Sequence, residues 1–231
     1  MEPAIASVEG LVKMGNTLKN VLFDFDGTLV DTSEGIVLSM HYAYDRLGYD
    51  RVSDREIRAT IGPPLQEMFR QLLPSESAEG VAMGVQFFRE RYGQFGAEES
   101  VLYPYVREGL ERLRRNGKCL FIVTAKPEVF VDRIARKYDI LKFFDEVSAV
   151  EARGTTLSKA VRIGMLMEKY EMEAEHTVLV GDRHEDAEAA AANGLRCIGA
   201  GYGYDDTKVL REVGCWEVRD SFREICDMVD I

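Results

Sequence analysis

The chain has 231 residues, of which 46% are hydrophobic and 30% charged, so it is long enough to bury one large domain or a core domain with an insert. Its formal net charge of −11 argues against a nucleic-acid polymer as a partner, because clustered lysines and arginines are what neutralise phosphate backbones. A small anionic substrate is compatible with this charge, since a metal ion and a few local cations override it within a site.

The cysteines and the first residues of the chain bear on its compartment. The four cysteines include no C-x-x-C pair, and Cys119 and Cys197 lie in strand-like runs where we expect them to be small core residues. A disulfide framework is therefore not expected. Residues 1–20 lack the long apolar centre of a secretory signal, and no apolar stretch approaches the ~20 residues of a membrane span. We therefore predict a cytoplasmic protein without a membrane partner.

The first predicted element is a strand within "NVLFDFDG", residues 20–27. Its continuous apolar run predicts burial on both faces, and Gly27 marks its end. Asp24 and Asp26 are two residues apart, so their side chains point the same way along an extended chain. Acids are costly in a buried strand unless something positive lies beside them. The pair therefore suggests two carboxylates that share a cation, with a plain charged turn as the alternative.

Residues 33–95 show helical periods and no clear strand. Ser33 is predicted to cap a helix over residues 34–47 that Gly48 ends, and Ser53 with Glu56 has the spacing of a capping box. The remaining predicted elements are a rigid turn, "IGPPL" at 61–65, and helices over 66–73 and 81–95.

From residue 101 onward, strand and helix patterns alternate. Strands are predicted over 118–125, 144–150, 176–182 and 195–201, and helices over 107–116, 127–138, 155–170 and 184–194. This alternation predicts an α/β fold, a parallel sheet with helices on both faces. The helical block is then an insert, which divides the chain into a core, residues 1–32 and 104–231, and an all-helical domain, residues 33–103.

Ligands bind beyond the carboxyl ends of such strands, so the residues that follow each strand are the candidates for a site. Three predicted strands end in acidic or hydroxyl residues. The first ends in Asp24 and Asp26, the second in Thr124, Ala125 and Lys126, and the third in Asp182, with Asp186 one helical turn further on. Lys159 begins a helix nearby in chain order. Together Asp24, Asp26 and Asp182 suggest a hard divalent cation with oxygen ligands, for which Mg²⁺ is suited.

Carboxylates that hold Mg²⁺ suggest phosphoryl transfer. One aspartate would attack phosphorus and form an aspartyl-phosphate, while a second would protonate the leaving oxygen and later take a proton from water. Thr124 and the N–H groups after it, including that of Ala125, would hold the phosphoryl oxygens. Lys159 would screen the repulsion between an anionic nucleophile and an anionic phosphate.

Four motifs carry a resemblance to a known family. "DFDGTLVDT" at 24–32, "VTA" at 123–125, Lys159 and "GDRHED" at 181–186 resemble, in order and spacing, the motifs of the haloacid dehalogenase superfamily of phosphohydrolases. The resemblance implies a Rossmann-like core, Mg²⁺, a small phosphorylated metabolite as substrate, and a helical cap over residues 33–103. It also implies that Asp24 is the nucleophile and Asp26 the general acid and base. The metal ligands it implies are Asp24, the backbone carbonyl of Asp26, and Asp182, with Asp186 in support.

Five segments resemble the phosphoglycolate phosphatase and 5′-nucleotidase group, namely "IGPPL", "TAKPEVF", "GTTLSKA", "GDRHED" and "GYGYDD". The last three favour the 5′-nucleotidase-like branch, and Gly62 of "IGPPL" is predicted to face the substrate. Asp26 disfavours a dehalogenase, which would lack an acid there. A phosphomutase and a non-catalytic binding protein stay open as alternatives, and neither the substrate nor the oligomeric state is predicted.

Overall fold

The structure is a computed structural model that describes residues 17–74, 77–150 and 157–230. Six of its strands form one parallel sheet. The strands of the described residues are Asn20–Phe23 (β1), Val30–Asp31 (β2), Val101–Leu102 (β3), Cys119–Pro127 (β4), Glu146–Val150 (β5), Thr177–Gly181 (β6), Arg196–Ala200 (β7) and Glu217–Arg219 (β8). The order across the sheet is β5-β4-β1-β6-β7-β8, and each neighbouring pair is parallel. The predicted α/β class with a parallel sheet is confirmed.

The first strand lies in the middle of the sheet, between β4 and β6. Val21, Leu22 and Phe23 are fully buried, and they contribute to two hydrophobic clusters, Val21 and Phe23 to one and Leu22 to the other. Successive side chains of a strand point to opposite faces, so an unbroken apolar run is what a strand covered on both sides requires. This central position brings whatever follows β1 between the ends of β4 and β6.

Some α-helices of the described residues cover the two faces of the sheet, and the others pack together as a separate group. Their bounds are Ser33–Leu47 (α1), Asp54–Ala59 (α2), Leu65–Leu72 (α3), Ala78–Arg91 (α4), Val106–Arg115 (α5), Glu128–Lys137 (α6), Lys159–Lys169 (α7), His184–Ala191 (α8), Thr207–Glu212 (α9) and Phe222–Val229 (α10). Residues 154–156, which belong to "GTTLSKA" and to the start of the helix predicted from 155, lie outside the described residues. None of the described helices has the length and apolar character that crossing a bilayer requires.

Local sequence signals predicted several helix ends correctly and one incorrectly. Gly48 adopts a left-handed conformation with φ 75° after α1, and Ser53 forms the predicted capping box with Glu56. Ser33 is not the cap of α1 but its first residue. The carboxylate of Asp31 accepts hydrogen bonds from the N–H and the hydroxyl of Ser33, at 2.9 and 2.6 Å, so the helix starts one residue earlier than predicted.

The helices α1–α4, called the cap helices below, pack around a hydrophobic cluster of their own. The chain enters this group after β2 and leaves it before β3, and these two short strands pair antiparallel, Val30 with Leu102 and Asp31 with Val101. Neither strand was predicted, because two-residue strands carry no periodicity. The pairing holds the two crossings side by side, while the division of the chain at residues 33 and 103 stays a prediction.

The last cap helix changes its winding at its end. After α4, residues Tyr92–Gly96 form a π-helical turn, which was not predicted. A Cβ atom at Gly96 would lie 2.3 Å from the ring of Tyr92, so glycine at this position makes room for the ring. Such turns are frequent at functional sites.

One core prediction failed. Cys197 is buried as expected, but Cys119 is exposed. Cys119 is the first residue of β4, where the strand emerges from the core.

Candidate active site

The predicted site residues meet at the carboxyl ends of three adjacent strands. Asp24 follows β1 directly, Asp182 follows β6 directly, and Thr124 lies buried within β4. The N–H of Asp24 donates to the carbonyl of Val180 at 2.9 Å, which continues the pairing of β1 with β6 by one residue. The position agrees with the general rule for open parallel sheets, whose ligands bind at this edge.

Three carboxylates crowd together at this edge. Oxygens of Asp24, Asp182 and Asp186 lie within 4.8 Å of one another, and the three residues are 4%, 0% and 0% exposed. Burial, and then the neighbouring charges of Asp24 and Asp186, hold the pKa of Asp182 well above its usual value. Burial likewise raises the pKa of Asp186, against the opposing effect of a lysine. The cluster is therefore short of positive charge.

That lysine is Lys159, the first residue of α7. Its Nζ lies 2.5 Å from Oδ1 of Asp186 and 3.1 Å from Oδ1 of Asp24. Burial opposes its charge, but Asp186 and Asp24 together keep the pKa of Lys159 above its usual value. The hydroxyl of Ser158 accepts a hydrogen bond from the N–H of Val161 and so starts the helix that delivers this lysine. Lys159 is thus a fixed cation beside Asp24.

Asp182 is held by the loops on either side of it. Its Oδ1 accepts a hydrogen bond from the hydroxyl of Thr28 at 2.9 Å, and its Oδ2 accepts one from the N–H of Tyr204 at 2.9 Å. Glycines leave the space that it occupies, since a Cβ atom at Gly203 would lie 2.2 Å from the Cβ of Asp182. The segments "DFDGTLVDT" and "GYGYDD" therefore meet around one carboxylate.

The donor set fits a hard divalent cation. Of the three clustered carboxylates, Asp24 and Asp186 share Lys159 as an ion-pair partner, at 3.1 and 2.5 Å, whereas no cation of the described residues pairs with Asp182. Buried carboxylates that outnumber the cations beside them are costly unless a further cation completes their surroundings. Carboxylate oxygens are the ligands that Mg²⁺ prefers. Asp24 and Asp182 are the residues that would hold it, with Asp186 engaged by Lys159.

Asp26 lies apart from this cluster, in contact with Lys126. Both carboxylate oxygens of Asp26 lie 3.0 Å from Nζ of Lys126, and Oδ1 also accepts a hydrogen bond from the hydroxyl of Thr32 at 2.9 Å. Burial raises the pKa of Asp26, Lys126 opposes that effect and Asp24 adds to it. The two acids of the first motif thus have different surroundings, which is how one site obtains a nucleophile and an acid.

From the sequence, Lys126 is only one of the residues that follow a strand, and Tyr92 is an aromatic residue expected to pack between helices. In the structure, Oη of Tyr92 accepts a hydrogen bond from Nζ of Lys126 at 2.8 Å. A signal for Lys126 existed, because it lies two residues after Thr124 and side chains at that spacing leave an extended strand on the same side. For Tyr92 there was none, since it reads as one more apolar position of a helix.

A small cavity opens above Asp26, between the cap helices and the sheet. Its volume is about 80 Å³, and its lining includes Asp26, Gly62, Ala125 and Lys126. The rest of the described lining is apolar or aromatic, from Ile36, Ile61, Pro63, Leu65, Met68, Phe88, Tyr92, Pro127 and Phe130. Gly62 and Ala125 thus both border the space beside the acids.

Comparisons with known proteins agree with this geometry. The family model for haloacid dehalogenase-like hydrolases matches residues 21–200. A 5′-nucleotidase of Pseudomonas aeruginosa is 37% identical over 83% of this chain and 86% of its own length. A phosphoglycolate phosphatase of Vibrio parahaemolyticus is 31% identical over 93% of this chain and 97% of its own.

A solved structure shows the same fold over nearly the whole chain. The crystal structure of a predicted phosphatase from Clostridium acetobutylicum superposes with a TM-score of 0.85 at 26% identity, and it covers 92% of this chain and 98% of its own. The predicted family and enzyme class are therefore confirmed. The chain belongs to the haloacid dehalogenase-like hydrolases, as a hydrolase of phosphoric monoesters.

Proposed function

We propose that the protein is a Mg²⁺-dependent phosphomonoesterase that acts through an aspartyl-phosphate on a small phosphorylated metabolite, in the manner of a 5′-nucleotidase or a phosphoglycolate phosphatase. The observation that carries the proposal is the cluster of three buried carboxylates, Asp24, Asp182 and Asp186, whose oxygens lie within 4.8 Å of one another, with Nζ of Lys159 3.1 Å from Oδ1 of Asp24. A carboxylate in such surroundings would bind a divalent cation, and the lysine beside it would allow an anionic phosphate to approach.

In the first half-reaction, a carboxylate oxygen of Asp24 attacks phosphorus and the bond from phosphorus to the leaving oxygen breaks. Asp26 gives its proton to that oxygen, which leaves as an alcohol. Burial supports this role for Asp26, because it favours the protonated carboxyl.

In the second half-reaction, water attacks phosphorus and gives a proton back to Asp26. Phosphate leaves and Asp24 is restored. Lys159 reduces the repulsion between Asp24 and the phosphate in both halves, while Thr124 and the N–H groups after it bind phosphoryl oxygens. Mg²⁺, held by Asp24, Asp182 and the backbone carbonyl of Asp26, would neutralise the charge of the transferring phosphoryl group.

The cavity beside Asp26 bears on the choice of substrate. At about 80 Å³ it is smaller than the ~150 Å³ cavity that holds a benzene molecule, but it is open on one side, so it encloses a leaving group of only a few heavy atoms and lets a larger one extend outward. The leaving group of phosphoglycolate would lie within this volume, whereas a nucleoside would extend beyond it toward solvent. The 37% identity to a 5′-nucleotidase favours the nucleotide instead. Both classes therefore belong in the test.

The test is phosphate release with Mg²⁺ from nucleoside monophosphates, phosphoglycolate, sugar phosphates and acyl phosphates, for the wild-type protein and for Asp24→Asn. We expect release from at least one substrate by the wild type only. Acid-quenched wild-type protein should carry one added phosphoryl group by mass spectrometry, and Asp24→Asn should carry none. Substantial release by Asp24→Asn would contradict the covalent route, and formation of an isomeric sugar phosphate in place of free phosphate would indicate a phosphomutase.

A further inference from the structure

A chain of three groups, the buried Tyr92 and Lys126 and the half-buried Asp26, joins the cap helices to the acid of the first motif. Tyr92 begins the turn after α4, Lys126 lies near the end of β4, and Asp26 follows β1. Nζ of Lys126 donates to Oη of Tyr92 at 2.8 Å and lies 3.0 Å from both carboxylate oxygens of Asp26. Tyr92 and Lys126 are 2% and 6% exposed. The ammonium group therefore has one partner in the core, the carboxyl group of Asp26, and one in the turn that follows the cap helices, the hydroxyl of Tyr92.

The surroundings of Tyr92 hold its hydroxyl in place. Its ring stacks on Phe88, with centroids 5.2 Å apart and an angle of 13° between the planes. Phe130, from α6 of the core, meets the same ring edge-on at 4.9 Å. Gly96 leaves the space on a further side. A tyrosine packed this closely from both the cap helices and the core brings its hydroxyl to one point rather than to a range of positions.

The buried ammonium group of Lys126 is stabilised by both of its partners. A buried ammonium group is costly unless its N–H groups are hydrogen-bonded. With Tyr92 in place, the ammonium group has a hydrogen-bond partner on both sides and lies at the same distance from the two oxygens of Asp26. Without the tyrosine hydroxyl, it loses a partner and is free to shift, and the carboxyl group of Asp26 shifts with it. Thr32, which donates to Oδ1 of Asp26, is the remaining restraint.

We propose that Tyr92 and Lys126 are positioning residues that hold the carboxyl group of Asp26 toward the leaving oxygen, and that Tyr92 can do so only while the cap helices lie against the core. Delivery of the proton is thereby coupled to closure of the site over the substrate. The proposal rests on the phosphomonoesterase function proposed above for the same site.

The test uses two substrates that differ in their need for a proton. An alkyl phosphate such as ethyl phosphate releases an alkoxide unless the leaving oxygen is protonated, whereas 4-nitrophenyl phosphate releases a stable anion. Positioned acids are worth ~10²–10⁴ in rate, and a misplaced one loses part of this. We expect Tyr92→Phe to lower kcat/KM for ethyl phosphate by about 5- to 20-fold, and to leave that for 4-nitrophenyl phosphate within about 2-fold. Because kcat/KM reports the steps up to cleavage, hydrolysis of the aspartyl-phosphate does not mask the difference.

The matched control is Tyr44→Phe. Tyr44 is another buried tyrosine of the cap helices, but its hydroxyl donates to the carbonyl of Leu72, within the same group of helices. We expect this variant to change kcat/KM for the two substrates by the same factor. A second variant, Lys126→Gln, should repeat the selective loss on ethyl phosphate to a larger extent than Tyr92→Phe. Thermal unfolding of each variant shows whether it is folded.

The outcomes separate this inference from the proposed function. If the wild type hydrolyses both esters and Tyr92→Phe lowers both values of kcat/KM equally, or neither, Tyr92 is a packing residue and the inference is wrong. If the wild type releases phosphate from neither ester and from no other substrate tested, the proposed function itself fails and the inference with it. A selective loss on the alkyl ester, absent from Tyr44→Phe, supports the proposal.

Discussion

A Cβ atom at position 27 would lie 2.1 Å from Oδ2 of Asp182, so the two loops can meet only because Gly27 has no side chain. Gly27 also adopts φ 78°, in the left-handed region that other residues avoid. β1 ends at Phe23, so Gly27 lies in the loop after it and not at its end as predicted. This loop glycine determines where a distant carboxylate can lie, since Asp182 is 154 positions from the neighbouring Thr28.

From this contact we expect Gly27→Ala to abolish activity and to weaken Mg²⁺ binding, because Asp182 must move. Unfolding by denaturant should also show a loss of more than about 1–3 kcal/mol, the cost of a strained backbone alone. The matched control is Gly48→Ala, at φ 75° with no described atom within 4 Å of the added Cβ. It should lose stability through the backbone but keep full activity. Equal activity in the two variants would contradict the role of Gly27.

Asp182→Asn should make the metal-free protein more stable. Folding raises the pKa of Asp182, so the carboxyl group destabilises the fold above its unfolded pKa, increasingly as the pH rises, and fully above its folded pKa. The gain should be present at neutral pH and should fade as the pH is lowered toward the unfolded pKa. Denaturant unfolding at several pH values measures this. Asp132→Asn, on an exposed pair with Arg136, should change stability by less than about 0.5 kcal/mol.

With Mg²⁺ present, the wild type should be more stable than Asp182→Asn, which is the reverse of the order expected without metal. A ligand present at 100 times its Kd stabilises the folded state by about 2.7 kcal/mol. Wild type should gain this stabilisation from Mg²⁺, while Asp182→Asn should gain little. Thermal unfolding with and without the ion is the measurement. A gain of the same size in both proteins would show that Asp182 is not a ligand.

Ca²⁺ should support little activity in place of Mg²⁺. Ca²⁺ takes more oxygen ligands at longer distances, and the second oxygen of Asp24 is a ready source of one. An oxygen engaged in this way is no longer free to attack phosphorus. Rates measured at saturating concentrations of each ion test the idea, and equal rates would remove it.

Gly62→Leu should change the ranking of substrates without changing the affinity for Mg²⁺. Gly62 lines the cavity beside Asp26, and a Cβ atom there would lie 3.0 Å from Nε of Arg183. The added side chain therefore narrows the space for the leaving group. Large substrates should lose kcat/KM relative to small ones, by about 10-fold or more for a group that no longer fits. If Mg²⁺ affinity collapses while the ranking stays the same, the division of roles between Gly62 and the acidic cluster is wrong.

Much of the fold followed from local patterns. The apolar run before Asp24 predicted a doubly covered strand, the alternation after residue 101 predicted a parallel sheet, and Ser53 with Glu56 predicted a helix start that the structure contains. These signals are readable because each depends on neighbours within a few positions. Ser33 was misassigned because a competing carboxylate, Asp31, takes its N–H and its hydroxyl.

The sequence by itself determined which acids end the strands, since parallel strands bring their carboxyl ends to one edge of a sheet, where Asp24 and Asp182 meet. It grouped Asp26 with them, whereas in the structure the third carboxylate of the cluster is that of Asp186. Only the tertiary structure decided the environment of each acid. Lys126 reaches Asp26 across 100 positions, and Tyr92 reaches Lys126 from a different group of helices. Contacts of this kind depend on how separate segments pack, and a glycine such as Gly96 or Gly203 reveals the side chain it makes room for only when that neighbour is in place.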